Sequence, residues 1–165
     1  FDGFEEIPTG VEQEYLFKVG DYNFTGVIDL ESEGCIIDHK TKAKQDLKRL
    51  TVKHKKEEYV QMLDGRYIHK DNFKQLYIYS IPYKEKYGKY PDYLKLNMAR
   101  MNDWYSVKFN VDHFEEAKQW VIDKIAEIYK TEDFVKGEEV NEFWCNFVCG
   151  QRLNCKYSDK YLGVE

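Results

Sequence analysis

The sequence lacks any apolar run approaching the roughly 20 residues that cross a bilayer, and it lacks the basic-then-apolar pattern of a secretory leader. We therefore expect a cytoplasmic protein with no membrane partner. Internal repeats and low-complexity linkers are also missing, which indicates one α/β domain. The chain opens at Phe1 without a Met, and we expect a segment upstream of it.

The charge of the chain is unevenly distributed. The formal net charge is −5, but eight basic residues and one acid lie between Lys40 and Lys56. This surplus predicts a track for phosphate groups, with a solvated surface face as the alternative. Aromatic residues make up 16% of the chain, and we expect them mainly in the core and in half-buried strands.

The first forty residues are typical of three short strands. We predict strands over residues 11–18, 24–30 and 35–40, joined by turns rich in Gly, Asp and Asn, and hence an antiparallel meander.

Two helices and two more strands are predicted downstream. Asp71 is expected to cap a helix running toward Pro82, and residues 91–98 and 104–109 are expected to be strands. Asp112 and Glu115 resemble a capping box that opens a helix to Lys130. Its predicted buried stripe is Phe114, Ala117, Val121, Ile125 and Ile128.

Charged residues follow two apolar stretches of the meander. Asp29 follows Val27-Ile28, and Asp38-His39-Lys40 follows Ile36-Ile37. Asp38 and Lys40 are two apart on a strand and share a face, while Asp29 is expected on the neighbouring strand. Because two carboxylates form a hard oxygen site, this end of the sheet predicts a Mg²⁺ or Mn²⁺ site with a lysine beside it. A structural ion pair between Asp38 and Lys40 is the alternative.

These residues resemble the PD-(D/E)XK nuclease superfamily, and specifically its RecB-like exonuclease branch. That branch has Gly-x-hydrophobic-Asp, a short hairpin, and then two hydrophobic residues before Asp-x-Lys-Thr. The matching positions are Gly26, Ile28, Asp29, Ile36, Ile37, Asp38, Lys40 and Thr41. The branch also has Gln-x-x-x-Tyr on a downstream helix, matched by Gln75 and Tyr79.

The resemblance implies a fold and a role for each matching residue. The fold is a restriction-endonuclease-like mixed sheet with flanking helices, over residues 1–140. Asp29, Asp38 and the backbone carbonyl of His39 would bind the metal, and Lys40 would be the catalytic lysine. Gln75 and Tyr79 would position the substrate. We also expect phosphate contacts from the residues that directly follow the site, Lys42, Lys44, Lys48 and Arg49.

The family usually carries a further acidic or His ligand on a helix upstream of the first strand. No convincing helix precedes residue 11, and Glu14 is the nearest substitute. The resemblance therefore predicts that this ligand lies in the upstream segment.

Three of the four cysteines, Cys145, Cys149 and Cys155, lie in a tail over residues 141–165 that we expect to pack on the core. Their clustering in a cytoplasmic protein suggests a metal more than disulfides. Several RecB-like nucleases hold a [4Fe–4S] cluster with three C-terminal cysteines, but a fourth thiolate is needed and Cys35 is more typical of a buried residue. A [4Fe–4S] cluster, a zinc site and free thiols remain open.

The sequence thus predicts a Mg²⁺- or Mn²⁺-dependent DNA phosphodiesterase, with exonuclease action favoured over endonuclease action. The resemblance also implies a bacterial or phage-encoded protein. The expected setting is DNA recombination, repair or phage replication, with a helicase or recombinase as a candidate partner. The alternatives are a non-cleaving DNA-binding or scaffolding module on the same fold and a zinc-binding interaction domain.

Overall fold

The computed structural model describes residues 7–41, 58–131, 144–150, 153–155, 158–160 and 162. The strands in these ranges are β1 (Pro8–Val19), β2 (Tyr22–Ser32), β3 (Cys35–Lys40), β4 (Tyr59–Gln61), β5 (Tyr67–His69), β6 (Tyr93–Met98) and β7 (Asp103–Lys108). The two long helices are α1 (Lys74–Tyr87) and α2 (Val111–Lys130). The fold is therefore mixed α/β, as the sequence predicted.

Five of the strands form one mixed sheet in the order β1-β2-β3-β6-β7. The first three strands form the predicted antiparallel meander. Strand β6 runs parallel to β3, and β7 returns antiparallel to β6. The connection from β3 to β6 contains α1 and a separate hairpin of β4 and β5, which the sequence analysis missed. Strand β3 lies at the centre of the sheet.

The sheet has an apolar cluster on each face. Ile36 belongs to the larger cluster, which includes buried residues of α1 and α2. Ile37 belongs to a smaller one with Leu30 and Cys35. Since successive side chains of a strand point to opposite faces, β3 is buried on both sides. Charged groups at the end of this strand therefore lie next to an apolar interior.

Helix α1 differs from its prediction at both ends. It continues through Pro82 to Tyr87 and ends at Gly88, whose φ of 73° is the left-handed cap conformation that favours glycine. A turn of 3₁₀ helix (Lys70–Phe73) precedes it, so Asp71 does not cap it. Proline disfavours a helix interior only by a local cost, which tertiary packing offsets here. The buried Pro82 is part of that packing.

Helix α2 also begins differently from the prediction. Its cap is Asn110, whose Oδ1 accepts a hydrogen bond from the His113 N–H over 3.1 Å, rather than Asp112. Phe114 and Ala117 are buried as predicted. Val121 and Ile125, also predicted to be buried, are only half-buried, and Ile128 is exposed, so the fully buried part of the stripe ends at Ala117.

The chain divides into two compact units, Phe1–Ala126 and Glu127–Glu165. In the second unit, a helical turn (Trp144–Val148) carries the buried Asn146, which bonds to Ser158 and Asp159. The expected packing of residues 141–165 on the core stays a prediction. None of the helices in the described ranges is long and apolar enough to cross a membrane.

Tyr83 of α1 anchors the turn between β2 and β3. Its hydroxyl accepts a hydrogen bond from the Gly34 N–H over 2.7 Å and donates one to the Ser32 carbonyl over 3.1 Å. Gly34 has a φ of 79°, so its backbone is in the conformation that only glycine adopts easily. The tyrosine, which is fully buried, thus fixes the position of the helix against the start of β3.

The first prediction tests this anchor. We expect Tyr83→Phe to lower the free energy of unfolding by about 1–3 kcal/mol, because a buried N–H loses its acceptor. Tyr87→Phe is the matched control, since its hydroxyl meets Thr9 in an exposed contact, and we expect a change within about 0.5 kcal/mol. Urea unfolding of both variants measures the difference, and equal losses would contradict an anchoring role for Tyr83.

Candidate active site

The predicted site residues lie where β2 and β3 separate. Their antiparallel pairing extends to Leu30 opposite Ile37. Beyond it, the carboxylate of Asp29 accepts a hydrogen bond from the His39 N–H over 2.8 Å. A side chain thus takes the place of a strand carbonyl at the end of this ladder. Asp29 is held beside the strand that carries Asp38, as the sequence predicted.

The carboxylate of Asp38 is buried, with only 5% of the residue exposed. Its Oδ2 lies 2.7 Å from Lys40 Nζ, and the two groups form an ion pair. Burial raises the pKa of Asp38, and the attraction of Lys40 only partly offsets this. The nearby charge of Asp29 raises the pKa of Asp38 further. The site therefore holds a carboxylate in surroundings that oppose its ionisation.

Lys40 links this carboxylate to the second predicted motif. Its ammonium group donates to Gln75 Oε1 over 3.0 Å, and Gln75 Nε2 in turn donates to the Tyr79 hydroxyl over 3.0 Å. Gln75 and Tyr79 are four residues apart on α1 and so share one face of the helix. A continuous chain of polar contacts therefore runs from Asp38 to Tyr79. It joins two segments that are 35 residues apart at the Lys40–Gln75 contact.

Gly26 allows Tyr79 to approach the sheet. A Cβ atom at Gly26 would lie 2.7 Å from the Tyr79 ring and 3.4 Å from that of Phe17. The first distance is shorter than van der Waals contact, so a larger residue here would displace the tyrosine. The packing of Tyr79, the last residue of the Gln-x-x-x-Tyr motif, thus explains the glycine at position 26.

His39 occupies the other face of β3. Its imidazole Nδ1 lies 2.9 Å from the side-chain amide of Asn97 on β6, the strand residue directly opposite. The ring therefore points away from Asp38, since alternate residues of a strand face opposite ways.

The donor set fits a hard divalent cation. Magnesium is usually bound through one or two carboxylates and keeps several waters, and the buried Oδ2 of Asp38, paired with Lys40, is a charged oxygen that a cation would stabilise further. Within the ranges that the structure describes, no group of three or more His, Cys, Asp or Glu residues could hold a metal. Glu14 is an exposed residue of β1 opposite Val27, so it does not supply the third ligand.

The four residues expected to contact phosphate, Lys42, Lys44, Lys48 and Arg49, lie outside the described residues, as does most of the basic segment. Their role stays a prediction.

Among the described residues, the cysteines of the tail belong to no group of three or more potential metal ligands. Cys145 and Cys155 are half-buried and Cys149 is exposed, and the four cysteines, all within the described residues, form no disulfide. Cys35 is buried in the smaller apolar cluster, as its sequence context suggested. Whether the tail holds a cluster or zinc stays a prediction.

The sequence analysis missed a buried ion pair on β2. Glu31 is fully buried, and its Oε1 accepts hydrogen bonds from the Tyr15 hydroxyl and the Lys86 ammonium group. The carboxylate of Glu31 raises the pKa of Lys86. An acid next to the buried Leu30 in a core strand was the available signal, because such a charge needs a partner.

The second prediction uses the pKa of Asp38. Since burial raises it in the folded protein, the ionised carboxylate opposes folding above that pKa, and the cost vanishes below the pKa values of both states. We therefore expect Asp38→Asn to unfold at a higher temperature than the parent at neutral pH, with the gap closing as the pH falls.

Asp103→Asn is the matched control with the opposite sign. Arg66 lowers the pKa of Asp103, so the ionised Asp103 stabilises the fold at neutral pH and this contribution is lost as the pH falls through its lowered pKa. We expect this variant to unfold at a lower temperature at neutral pH. Thermal unfolding between pH 2 and 8 measures both, and a destabilised Asp38→Asn protein at neutral pH would contradict the cost assigned to Asp38.

The support for the site is its geometry, because the comparisons with known proteins found no match. No protein-family model matches the chain, and neither a curated protein nor a solved structure matches it.

Proposed function

We propose that the protein is a metal-dependent deoxyribonuclease with a PD-(D/E)XK core of the RecB-like kind, acting as an exonuclease on DNA. The observation that carries the proposal is the chain of contacts from Asp38 through Lys40 and Gln75 to Tyr79. It unites the residues of two separate motifs in one cluster. A purely structural ion pair would need only Asp38 and Lys40.

Asp29, Asp38 and the carbonyl of His39 are the proposed ligands of a Mg²⁺ or Mn²⁺ ion. When bound, such an ion lowers the pKa of a coordinated water and neutralises charge on the scissile phosphate. Asp29 is fixed by its bond to the His39 N–H, so its free oxygen has a defined direction. Because burial raises the pKa of Asp38, a nearby cation would stabilise the ionised form of this carboxyl group.

Lys40 provides the positive charge on the substrate side. Its side chain is 29% exposed, so the ammonium group can reach solvent while it keeps contact with Asp38. In this position it orients the attacking water or stabilises negative charge that develops on the phosphate in the transition state. The ammonium group has three N–H donors. Two of them face Asp38 and Gln75, and the third remains for the substrate.

Gln75 and Tyr79 are positioning residues in this proposal. Gln75 receives one hydrogen bond from Lys40 and gives one to Tyr79, which directs the lysine toward α1. Tyr79 is in turn held against Gly26. The mechanism therefore depends on how α1 sits on the sheet as well as on the acidic residues.

DNA is the proposed substrate because of the basic segment that directly follows the site. Lys42, Lys44, Lys48 and Arg49 are its proposed phosphate contacts, and their charge would offset the net charge of −5 locally. A helicase or recombinase is the proposed kind of partner, in recombination, repair or phage replication.

A non-cleaving DNA-binding module is the second candidate. It is favoured by one observation, that no third metal-ligating side chain joins Asp29 and Asp38 among the described residues. DNA binding that persists in EDTA, without cleavage, distinguishes it from a nuclease.

The third prediction concerns cleavage. We expect the parent to degrade linear double- or single-stranded DNA in Mn²⁺ and to leave closed circles intact. We expect Lys40→Ala to reduce the rate at least about 100-fold, the size of effect seen when a transition-state donor is removed. Lys108→Ala, an exposed lysine on β7, is the control and should retain parental activity.

Equal activity in the parent and Lys40→Ala would assign the cleavage to another site. Binding without cleavage by both proteins would support the non-cleaving module instead.

The fourth prediction concerns the cation. We expect Mn²⁺ to raise the unfolding temperature of the parent in metal-free buffer, by a stabilisation of about 2.7 kcal/mol when its concentration is 100 times the dissociation constant. Asp38→Asn should lose most of this shift, because it lacks a charged ligand. Asp103→Asn, in which a carboxylate outside the site is removed, should show the parental shift. A shift that all three proteins share would place the cation elsewhere.

A further inference from the structure

The outer edge of β1 is unpaired in the described part of the chain. Strand β1 is the end member of the sheet and pairs with β2 on one side only. An edge strand presents a row of backbone N–H and C=O groups that can pair with another strand. This one is 12 residues long, which is well above the usual length of a strand.

The turn after β1 determines which backbone groups face outward. Val19 pairs with Tyr22 across a two-residue turn, and the residues that flank such a turn form a hydrogen-bonded pair. Because the pattern alternates along the strand, the N–H and C=O groups of Glu14, Leu16 and Lys18 point away from β2. Within the described ranges, the outward-facing backbone groups of these three residues pair with no other strand.

The side chains of the same three residues lie on the exposed face of the sheet. Leu16 is 75% exposed, and Val27 on β2 adds a further exposed apolar residue to this face. Glu14 and Lys18 are also exposed, and neither side chain has a hydrogen bond or ion pair with another described residue. An apolar residue thus lies between one free acid and one free base, at equal distances along the strand.

We propose that two copies of this chain associate through β1, antiparallel and across a two-fold axis, with Leu16 opposite Leu16 of the second copy. In this register Glu14 of each copy faces Lys18 of the other. The two charge pairs flank the leucine pair, and all three pairs use the outward-facing backbone groups. The five-stranded sheet of each copy then continues into a single ten-stranded sheet.

The charge pattern selects this register from the others that the backbone permits. Moving the strands by one step, so that Glu12 faces Lys18, would bring Glu14 opposite Leu16 and include Glu12 in the ladder. The φ of Glu12 is 47°, which breaks the regular strand at that point. A further step would place Glu14 against Glu14, where like charges repel. The regular stretch from residue 13 to residue 19 is centred on Leu16.

A second copy is favoured over an edge that is merely protected from pairing. Protected edges carry charges that repel a second edge, or bulges that turn the strand away. The charges of β1 are instead self-complementary under a two-fold axis, which is the property of an isologous interface. The irregularity at Glu12 lies outside the proposed ladder.

Sedimentation velocity over a range of protein concentrations tests the proposal, with the parent expected to show a monomer–dimer equilibrium. Lys18→Glu places an acid opposite Glu14 at both symmetric positions and should raise the dissociation constant at least about tenfold. The double variant Glu14→Lys with Lys18→Glu restores opposite charges in exchanged positions and should restore the dimer. Lys108→Glu, the same change on the other edge strand, is the control and should leave the equilibrium unchanged.

Rescue by the double variant distinguishes a direct pair from a loss of fold, and circular dichroism of each protein verifies the fold separately. A parent that stays monomeric at all concentrations overturns the proposal. A dimer that Lys18→Glu leaves intact, or that Lys108→Glu alone dissociates, overturns it as well.

Discussion

The position of β3 in the centre of the sheet is the constraint on which the candidate site depends. Both faces of the strand are covered by apolar residues, so the carboxylate of Asp38 is placed in surroundings that raise its pKa. The cost of that burial is offset in part by Lys40 and would be offset further by a cation. The buried carboxylate that the proposed chemistry needs therefore lowers the stability of this region, as is common where a charged group is kept for function.

Helix α1 supplies the second half of the arrangement. One face of α1 carries four residues that meet the meander. Gln75 contacts Lys40, and Tyr79 lies over Gly26. Tyr83 contacts the β2–β3 turn, and Lys86 contacts Glu31. The helix is thus attached to the meander along most of its length. The proposed positioning of Lys40 by Gln75 depends on the contacts further along the helix, which share no atom with the site.

Sequence reasoning succeeded where the pattern was local. Alternation and turn residues predicted the meander, and the spacing of Gln75 and Tyr79 predicted a shared helix face. It failed where tertiary contacts decide the structure. Helix α1 continues through Pro82, toward which it was predicted to run, and Asn110 rather than Asp112 caps α2. The buried Glu31 was missed because its partners, Tyr15 and Lys86, are distant in sequence. The contact of Lys40 with Gln75 required the parallel crossover to be known.

The attachment of α1 at successive turns has a consequence for how this sequence can vary during evolution. A single inserted or deleted residue within the helix would rotate everything beyond it by about 100° and move it by about 1.5 Å along the axis. Gln75 would keep its place while Tyr83 and Lys86 turned away from the sheet. Relatives of this protein should therefore preserve the spacing from Gln75 to Lys86 even where the residues between them differ.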